Sequence, residues 1–350
     1  MNHDELYMQR CFELAKLGAG RVSPNPMVGA VLVHHNRIIG EGWHQEYGKA
    51  HAEVNAVASV SPLDRSLIQQ STLYVSLEPC CIFGKTPPCT NLIIEQKIPK
   101  VVISCLDQTP GVAGRGVEIL RSNGVMLVTG VLQSEGEALS RFRNHFARFK
   151  RPYVILKFAV TLNGKFGLSS KKYWISNEFS KRLSHKWRSE TDAILVGTNT
   201  ALIDNPELTN RFYFGKSPLR VVIDRHLRLP ATLHLFDHSQ PTLIVTEKTA
   251  LPSAFQGKNI DLLPMCFDDY FLSNLLEKLY ERNIATLMVE GGANTLRYFL
   301  QNNLWEEANV LVGNTSLAEG VDAPLVPGVV KKRFTIGEDQ ILLYQNVQER

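Results

Sequence analysis

Short apolar runs recur along this chain, each followed by an amphipathic stretch, and that alternation limits the fold more than any other feature. TLYVSL (72–77), KVVISCL (100–106) and VMLVTG (125–130) read as buried strands, with helices expected near 89–97, 115–123 and 134–149. Upstream, residues 4–18 read as a helix. MVGAVLV (27–33) and RIIGEG (37–42) read as two strands turning at His35-Asn36, and AHAEVNAVASV (50–60) as a second helix. The pattern restarts at YVILKFAV (153–160), with strands at 192–197, 219–224, 242–246, 285–292 and 308–313. Helices are expected there near 177–190, 269–281 and up to 302, and RFTIGEDQILLYQNV reads as a closing antiparallel pair. Strands alternating with helices imply α/β architecture, with largely parallel sheets covered on both faces. A chain of 350 residues exceeds one ordinary core. The natural boundary is Arg151-Pro152, where a basic helix gives way to a new strand. No internal repeat links the halves, so two unrelated α/β domains are expected, 1–150 and 151–350.

Several function classes are disfavoured by composition. Six unevenly clustered cysteines in so long a chain do not suggest a disulfide framework, and a reducing cytoplasm is the expected compartment. The opening MNHDELYMQRCFELAKLG mixes both charge signs in an amphipathic pattern, unlike a signal or transit peptide. No apolar run approaches the roughly 20 residues of a membrane-spanning helix. A net charge of +4 suits an anionic small substrate and does not require nucleic acid. The densest basic stretch, SRFRNHFARFKR (140–151), reads as an amphipathic helix with solvated arginines and inward-packing Phe142, Phe146 and Phe149.

Chemistry concentrates in the first half. His51-Ala52-Glu53 followed by Pro79-Cys80 matches most of the H-x-E…P-C-x-x-C signature of zinc nucleobase deaminases. One neutral imidazole and two thiolates hold a tetrahedral zinc and leave one position for water, whose pKa falls to about 7. A neighbouring carboxylate must then carry a proton to the departing amine, and Glu53 is the candidate. Residues two apart do not share a helix face. His51 and Glu53 therefore reach one metal only where the chain enters a helix. Cys89, after Pro87-Pro88, would open the next helix, where the partial positive charge favours a thiolate. The gap of eight residues between Cys80 and Cys89 departs from the short signature.

HAEVNA, LEPCCIFGKTPPC and GVAGRG (111–116) together resemble the deaminase domain of the bifunctional deaminase/reductase family of riboflavin biosynthesis. The likeness extends to NPMVGAVLV and GEGWHQEYGKAHAE. It implies a three-layer cytidine-deaminase-like domain with zinc on His51, Cys80 and Cys89, Glu53 as proton shuttle, and substrate contacts at Asn25, His44, Lys85 and Asp107. It also explains the gap, since the family carries a long loop ending TPPC. Two departures stand out: Cys81-Ile82-Phe83 follows the first thiol ligand, and Asp107-Gln108-Thr109-Pro110 replaces the family's Asp-Pro-Asn-Pro.

The second half offers VEGG (289–292) between an apolar strand and ANTLRYFL, a turn whose amides could hold a phosphate. No G-x-G-x-x-G fingerprint is present. Arg188 and Arg211 suit phosphate, or are solvated charges. LKFAVTLNGK, YWIS, DAILVGTNTALIDNPELTNR and VEGGANTL resemble the same family's reductase domain, a fold related to dihydrofolate reductase that uses NADPH. The resemblance implies substrate contacts at Arg188, Leu208, Arg211 and Glu290. Cofactor contacts fall on Ala159, Trp174, Thr200, Asp204 and the loop starting at Gly292. Lys172 stands where the family grips the substrate phosphate with a serine. The family's Leu-Asp-Gly becomes Leu162-Asn163-Gly164, and Asn314 to Ala318 replace its late Pro-Lys-Leu-Leu-Gly.

The expected activity is zinc-dependent deamination of a phosphorylated ribosylaminopyrimidine, then NADPH-dependent reduction of its ribosyl group to ribityl. A cytoplasmic homo-oligomer with no nucleic-acid or membrane partner is expected. Three rivals stay open at this point: a non-catalytic second half, a nucleic-acid-editing deaminase, and a structural zinc site closed by Cys81.

Overall fold

The computed structural model describes residues 2–109, 112–168, 173–255 and 259–347. The chain divides into two compact units, Met1–Arg151 and Pro152–Arg350. The first runs α1 (His3–Lys16), β1 (Gly29–His34), β2 (Arg37–Trp43), α2 (Ala52–Ala58), β3 (Thr72–Leu77), α3 (Cys89–Glu95), β4 (Lys100–Cys105), α4 (Arg115–Ser122), β5 (Met126–Thr129) and α5 (Gln133–Phe149). Its sheet is ordered β2-β1-β3-β4-β5. β1 is antiparallel to both neighbours, whereas β3, β4 and β5 run parallel, so this sheet is mixed rather than largely parallel. The reason is local: His35 and Asn36 adopt φ of 44° and 63°, the left-handed pair of a tight hairpin.

Period-2 alternation builds the layers of this unit. Ala30, Leu32, Leu73, Val75, Val101 and Ile103 face one apolar cluster with Ala56 of α2, Ile93 of α3 and Leu120 of α4. Val31, Val33, Tyr74 and Val102 face the other, against Met8, Cys11 and Phe12 of α1. The Asn2–Glu5 capping box starts α1. On α5 Phe146 is buried as expected, but Phe149, at the end of the helix, is 40% exposed, with the Arg148 guanidinium 5.1 Å from its ring centroid.

The second unit contains β6 (Tyr153–Thr161), β7 (Lys165–Gly167), α6 (Glu178–Ser189), β8 (Ala193–Gly197), α7 (Thr198–Asp204), β9 (Leu219–Ile223), β10 (Thr242–Thr246), β11 (Ile260–Pro264), α8 (Phe271–Glu281), β12 (Thr286–Val289), α9 (Ala293–Gln301), β13 (Glu307–Gly313), β14 (Val321–Asp322), β15 (Val329–Ile336) and β16 (Asp339–Gln345). The main sheet is ordered β11-β10-β9-β8-β12-β6-β13-β16-β15, parallel except where β16 pairs with β13 and β15. β8 is buried on both faces, Ala193 and Leu195 in one cluster and Ile194 and Val196 in the other. On β6, Val154, Leu156, Phe158 and Val160 face the first cluster, which turns Lys157 to the opposite side.

Four elements of this unit escape sequence reading. β7 and β14 are too short for a periodic signal. β11 contains Asp261 and ends at Pro264, tolerable because it is an edge strand. α7 starts directly at the end of β8 and spans only seven residues.

Candidate active sites

In the first unit, Gly40 and Gly42 of β2 set where the metal-binding helix lies. A Cβ on Gly42 would stand 2.3 Å from Ala56 N, so only glycine allows α2 to press onto β2. His51 then occupies the N-cap of α2 in extended backbone, and Glu53 lies in its first turn. This is the entry geometry that lets both approach one metal. Cys89 begins α3, and its N–H donates to Cys80 Sγ at 3.3 Å. His51 Nδ1 is 3.5 Å from Cys80 Sγ and 3.3 Å from Cys89 Sγ. With Nδ1 facing the thiols, Nε2 is free to donate to Thr86 Oγ1 at 3.3 Å.

His51, Cys80 and Cys89 bring their ligand atoms within 4.8 Å of one another, and among the described residues no fourth ligand joins them. A structural zinc site would be closed by four protein ligands. Cys81 lies outside the cluster, so a three-ligand shell with an open position fits zinc that binds water. The donor chemistry fits as well. One imidazole and two thiols are a zinc donor set. Here the two thiols share a proton, the hydrogen bond from Cys89 lowering the Cys80 pKa while that same bond and burial raise that of Cys89. Glu53 is 3% exposed, and burial, reinforced by Cys80, raises its carboxyl to about 7.

Around this cluster lies a cavity of about 470 Å³ whose lining includes Asn25, His44, Lys85 and Asp107, all four expected substrate contacts. His44 Nδ1 donates to Ala50 O at 3.1 Å, so its Nε2 accepts from the Asn25 amide, also at 3.1 Å. Burial lowers the His44 pKa and keeps the ring neutral. Lys85 Nζ lies 4.1 Å from the Tyr47 ring centroid. Sequence reading missed Glu78. Its buried carboxylate accepts backbone N–H bonds from Asp107, Gly114, Gly116 and Val117 at 2.8 to 3.3 Å. It thereby ties the loop carrying Asp107 to the start of α4, where Gly114 has φ of 78° and a Cβ on Gly116 would stand 2.3 Å from Pro79 O. Pro110 and Gly111 lie outside the described residues.

In the second unit the expected residues fall into separate groups. Arg188 of α6 forms a bidentate pair with Glu290 at 2.9 and 2.7 Å, and its third bond goes to Thr209 O at 3.1 Å. Lys157 Nζ stands 3.7 Å from the same carboxylate. Burial alone would raise Glu290, but Arg188 and Lys157 outweigh it and bring it to about 2. Burial lowers the Lys157 pKa against the pull of Glu290. Arg211 N donates to His185 Nδ1 at 3.0 Å, and burial, aided by Arg188 and Arg211, brings His185 down to about 4. Arg211 also pairs with Glu207. Leu208 has a buried side chain in an apolar cluster and φ of 53°, so only its backbone is available to a ligand.

Thr200, Asp204 and Gly292 line one cavity of about 490 Å³. It sits where β8 and β12 end, the edge at which open α/β sheets take ligands. A Cβ on Gly292 would lie 2.8 Å from Thr200 Oγ1, so glycine is what lets α7 and the α9 turn converge. The lining adds Asn199, Arg228 and Thr295, none of which the sequence singled out. The threonines Thr198, Thr200 and Thr295 and the cation Arg228 on this lining, beside the starts of α7 and α9, fit the phosphates of a dinucleotide such as NADPH. Ala159 and Trp174 are not on this lining. Trp174 meets Lys181, whose Nζ is 5.2 Å from the indole and 4.5 Å from the Phe212 ring. Lys172 lies outside the described residues.

Two sequence departures meet in space. Asn163 Nδ2 donates to Leu317 O at 2.7 Å, and its Oδ1 accepts from Leu317 N at 3.2 Å. An amide satisfies both backbone groups, whereas an aspartate could not donate to the carbonyl.

Residues 152–329 match the family model of the RibD C-terminal domain, and 1–105 that of the cytidine and deoxycytidylate deaminase zinc-binding region. The chain is 38% identical to riboflavin biosynthesis protein RibD of Aquifex aeolicus over 91% of its own length and 89% of that protein's. Identity to RibD of Bacillus amyloliquefaciens is 36%, over 95% and 92%. Among solved structures, a diaminohydroxyphosphoribosylaminopyrimidine deaminase/5-amino-6-(5-phosphoribosylamino)uracil reductase of Thermotoga maritima superposes with a TM-score of 0.87 at 34% identity, covering 98% of each chain. Acinetobacter baumannii RibD gives 0.90 at 28% identity, covering 99% of each.

Proposed function

Because the chain belongs to the RibD family of bifunctional riboflavin-biosynthesis enzymes, we propose that residues 1–150 deaminate a diaminopyrimidine ribosyl phosphate and residues 151–350 reduce its ribosyl group. The observation that carries the reading is the three-membered His51, Cys80 and Cys89 cluster with buried Glu53 beside it. Those three residues would hold zinc, which when bound supplies a Lewis acid that makes water nucleophilic at neutral pH. Glu53 takes a proton from the attacking water onto its carboxylate and returns it to the amine nitrogen, so that the C–N bond breaks and ammonia leaves. Asn25, His44, Lys85 and Asp107 orient the ring. The neutral His44, fixed by Ala50 and Asn25, offers no mobile charge to compete with Glu53.

In the second unit Thr200, Asp204 and Gly292 would hold NADPH, which supplies the hydride; the family resemblance adds Ala159 and Trp174, which lie off that cavity's lining. Arg188, Arg211, Glu290 and the Leu208 backbone would hold the substrate, with Lys172 as a further cation. Arg188 and Lys157 are two cations against the single carboxylate of Glu290, so the cluster keeps one positive charge for a phosphate.

A cytoplasmic homo-oligomer completes the reading. The exposed run Phe212, Tyr213 and Phe214, the last 79% exposed, supports self-association. Among the described residues no helix is long and apolar enough to cross a membrane. The test measures zinc content, ammonia release from the diaminopyrimidine phosphate, and light scattering of the purified protein. Zinc-loaded protein that releases no ammonia would sink the deaminase assignment, and a monomer in solution would sink the oligomer.

A further inference from the structure

We propose that Arg143 on α5 grips the phosphate of the pyrimidine substrate in the first site, an assignment that rests on the deaminase reading above. Arg143 lines the same cavity as His51, Glu53 and Cys80, although the sequence alone suggests only solvated arginines on this helix. Its neighbours are otherwise engaged. Arg141 lies over Phe142 and donates to Ala138 O, and Arg148 covers Phe149. Among the described residues Arg143 has no ion pair.

The carboxylates on the cavity leave it unclaimed. Glu53 is buried beside the thiols, both oxygens of Glu78 accept backbone amides, and Asp107 Oδ1 accepts from Thr109 N at 2.7 Å. A half-buried guanidinium with no ion pair is available to an anion that enters the cavity.

Substrate geometry supplies that anion. The amine-bearing ring carbon must reach Glu53 and the metal cluster, so the ribosyl phosphate extends away from them; the cations on the lining are Lys49, Lys85 and Arg143. Lys49 and Lys85 are exposed on loops. Arg143 is half-buried on a 17-residue helix anchored by Ser140, His145 and Phe146. A planar guanidinium on a rigid helix presents two parallel N–H donors to a phosphate, whereas an ammonium acts as a point charge.

The test is a ratio: kcat/KM for the phosphorylated diaminopyrimidine over kcat/KM for its dephosphorylated nucleoside. It is measured by ammonia release in the zinc-loaded full chain. Because both constants come from one preparation, the ratio is insensitive to how much of a variant folds. Arg143→Ala should lower it about tenfold to a hundredfold, the range for hydrogen bonds to charged groups. Arg143→Lys should keep part of it. A ratio unchanged by Arg143→Ala overturns the assignment, as does an equal loss on both compounds. A wild type that releases no ammonia from either compound removes the deaminase reading, and this assignment falls with it.

Discussion

The two sites are assembled in opposite ways. In the first, the metal cluster joins residues 29 and 38 positions apart, both contacts made where a helix begins. Polar groups there are satisfied mostly by backbone, as with His44 on Ala50 and Glu78 on four amides. In the second, Arg188 and Glu290 are 102 positions apart, and Lys157 comes from a third element. Side chains there pair with one another inside the protein, two cations sharing one carboxylate. A site built on backbone tolerates loss of one carboxylate structurally but not chemically. A site built on a buried ion cluster should lose structure along with its carboxylate.

The sharpest way to break this contrast is Glu53→Gln. Ammonia release should fall about a hundred- to ten-thousand-fold, the range for a lost general acid–base group. Zinc content and NADPH oxidation with pre-deaminated substrate should persist. A loss of folding would refute the backbone-supported picture. Glu290→Gln should act mainly on stability, costing roughly 3–5 kcal/mol, because Arg188 and Lys157 stay buried without their counter-charge. Denaturant unfolding of the full chain checks this, and an unchanged midpoint for the second unit would contradict it.

Thr86→Val tests the outer support of His51. Removing the acceptor of Nε2 should lower zinc affinity about 10- to 100-fold, read by chelator competition, with Thr86→Ser restoring it. The smallest effect should be in pH. His185, held near 4 by burial and by Arg188, Arg211 and Lys157 against the pull of Glu290, stays neutral in the fold while an unfolded histidine protonates near 6.5. Its neutral form is common to both states above 6.5, so stability should decline as pH falls from 6.5 toward 4. His185→Gln should flatten that part of the profile, and an unaltered slope would count against it.

The same contrast explains what the sequence made legible. HAE and TPPC carry the first site because helix entry places His51 and Cys89 and the residue types are rare. Thr86, Glu78 and Arg143 were not legible, since an acceptor for a ring nitrogen, an amide clamp and a lone cation have no spacing of their own. In the second unit Lys157 interrupts an otherwise apolar strand, a signal available in LKFAV but indistinguishable from an edge residue without the sheet order. Resemblance supplied Arg188 and Glu290, whose pairing no periodicity reveals. It also marked Asn163 and the 314–318 segment as separate departures, and only the fold shows that one amide clasps the other's backbone.

The central claim is that one chain carries two separable reactions, and product analysis of the purified, zinc-loaded protein tests it most directly. Given the diaminopyrimidine ribosyl phosphate without NADPH, the account predicts a deaminated product with an intact ribosyl group. With NADPH it predicts the deaminated ribityl compound. Deaminated, unreduced product under both conditions would contradict the account for the second unit, and unchanged substrate in both would contradict it for the first.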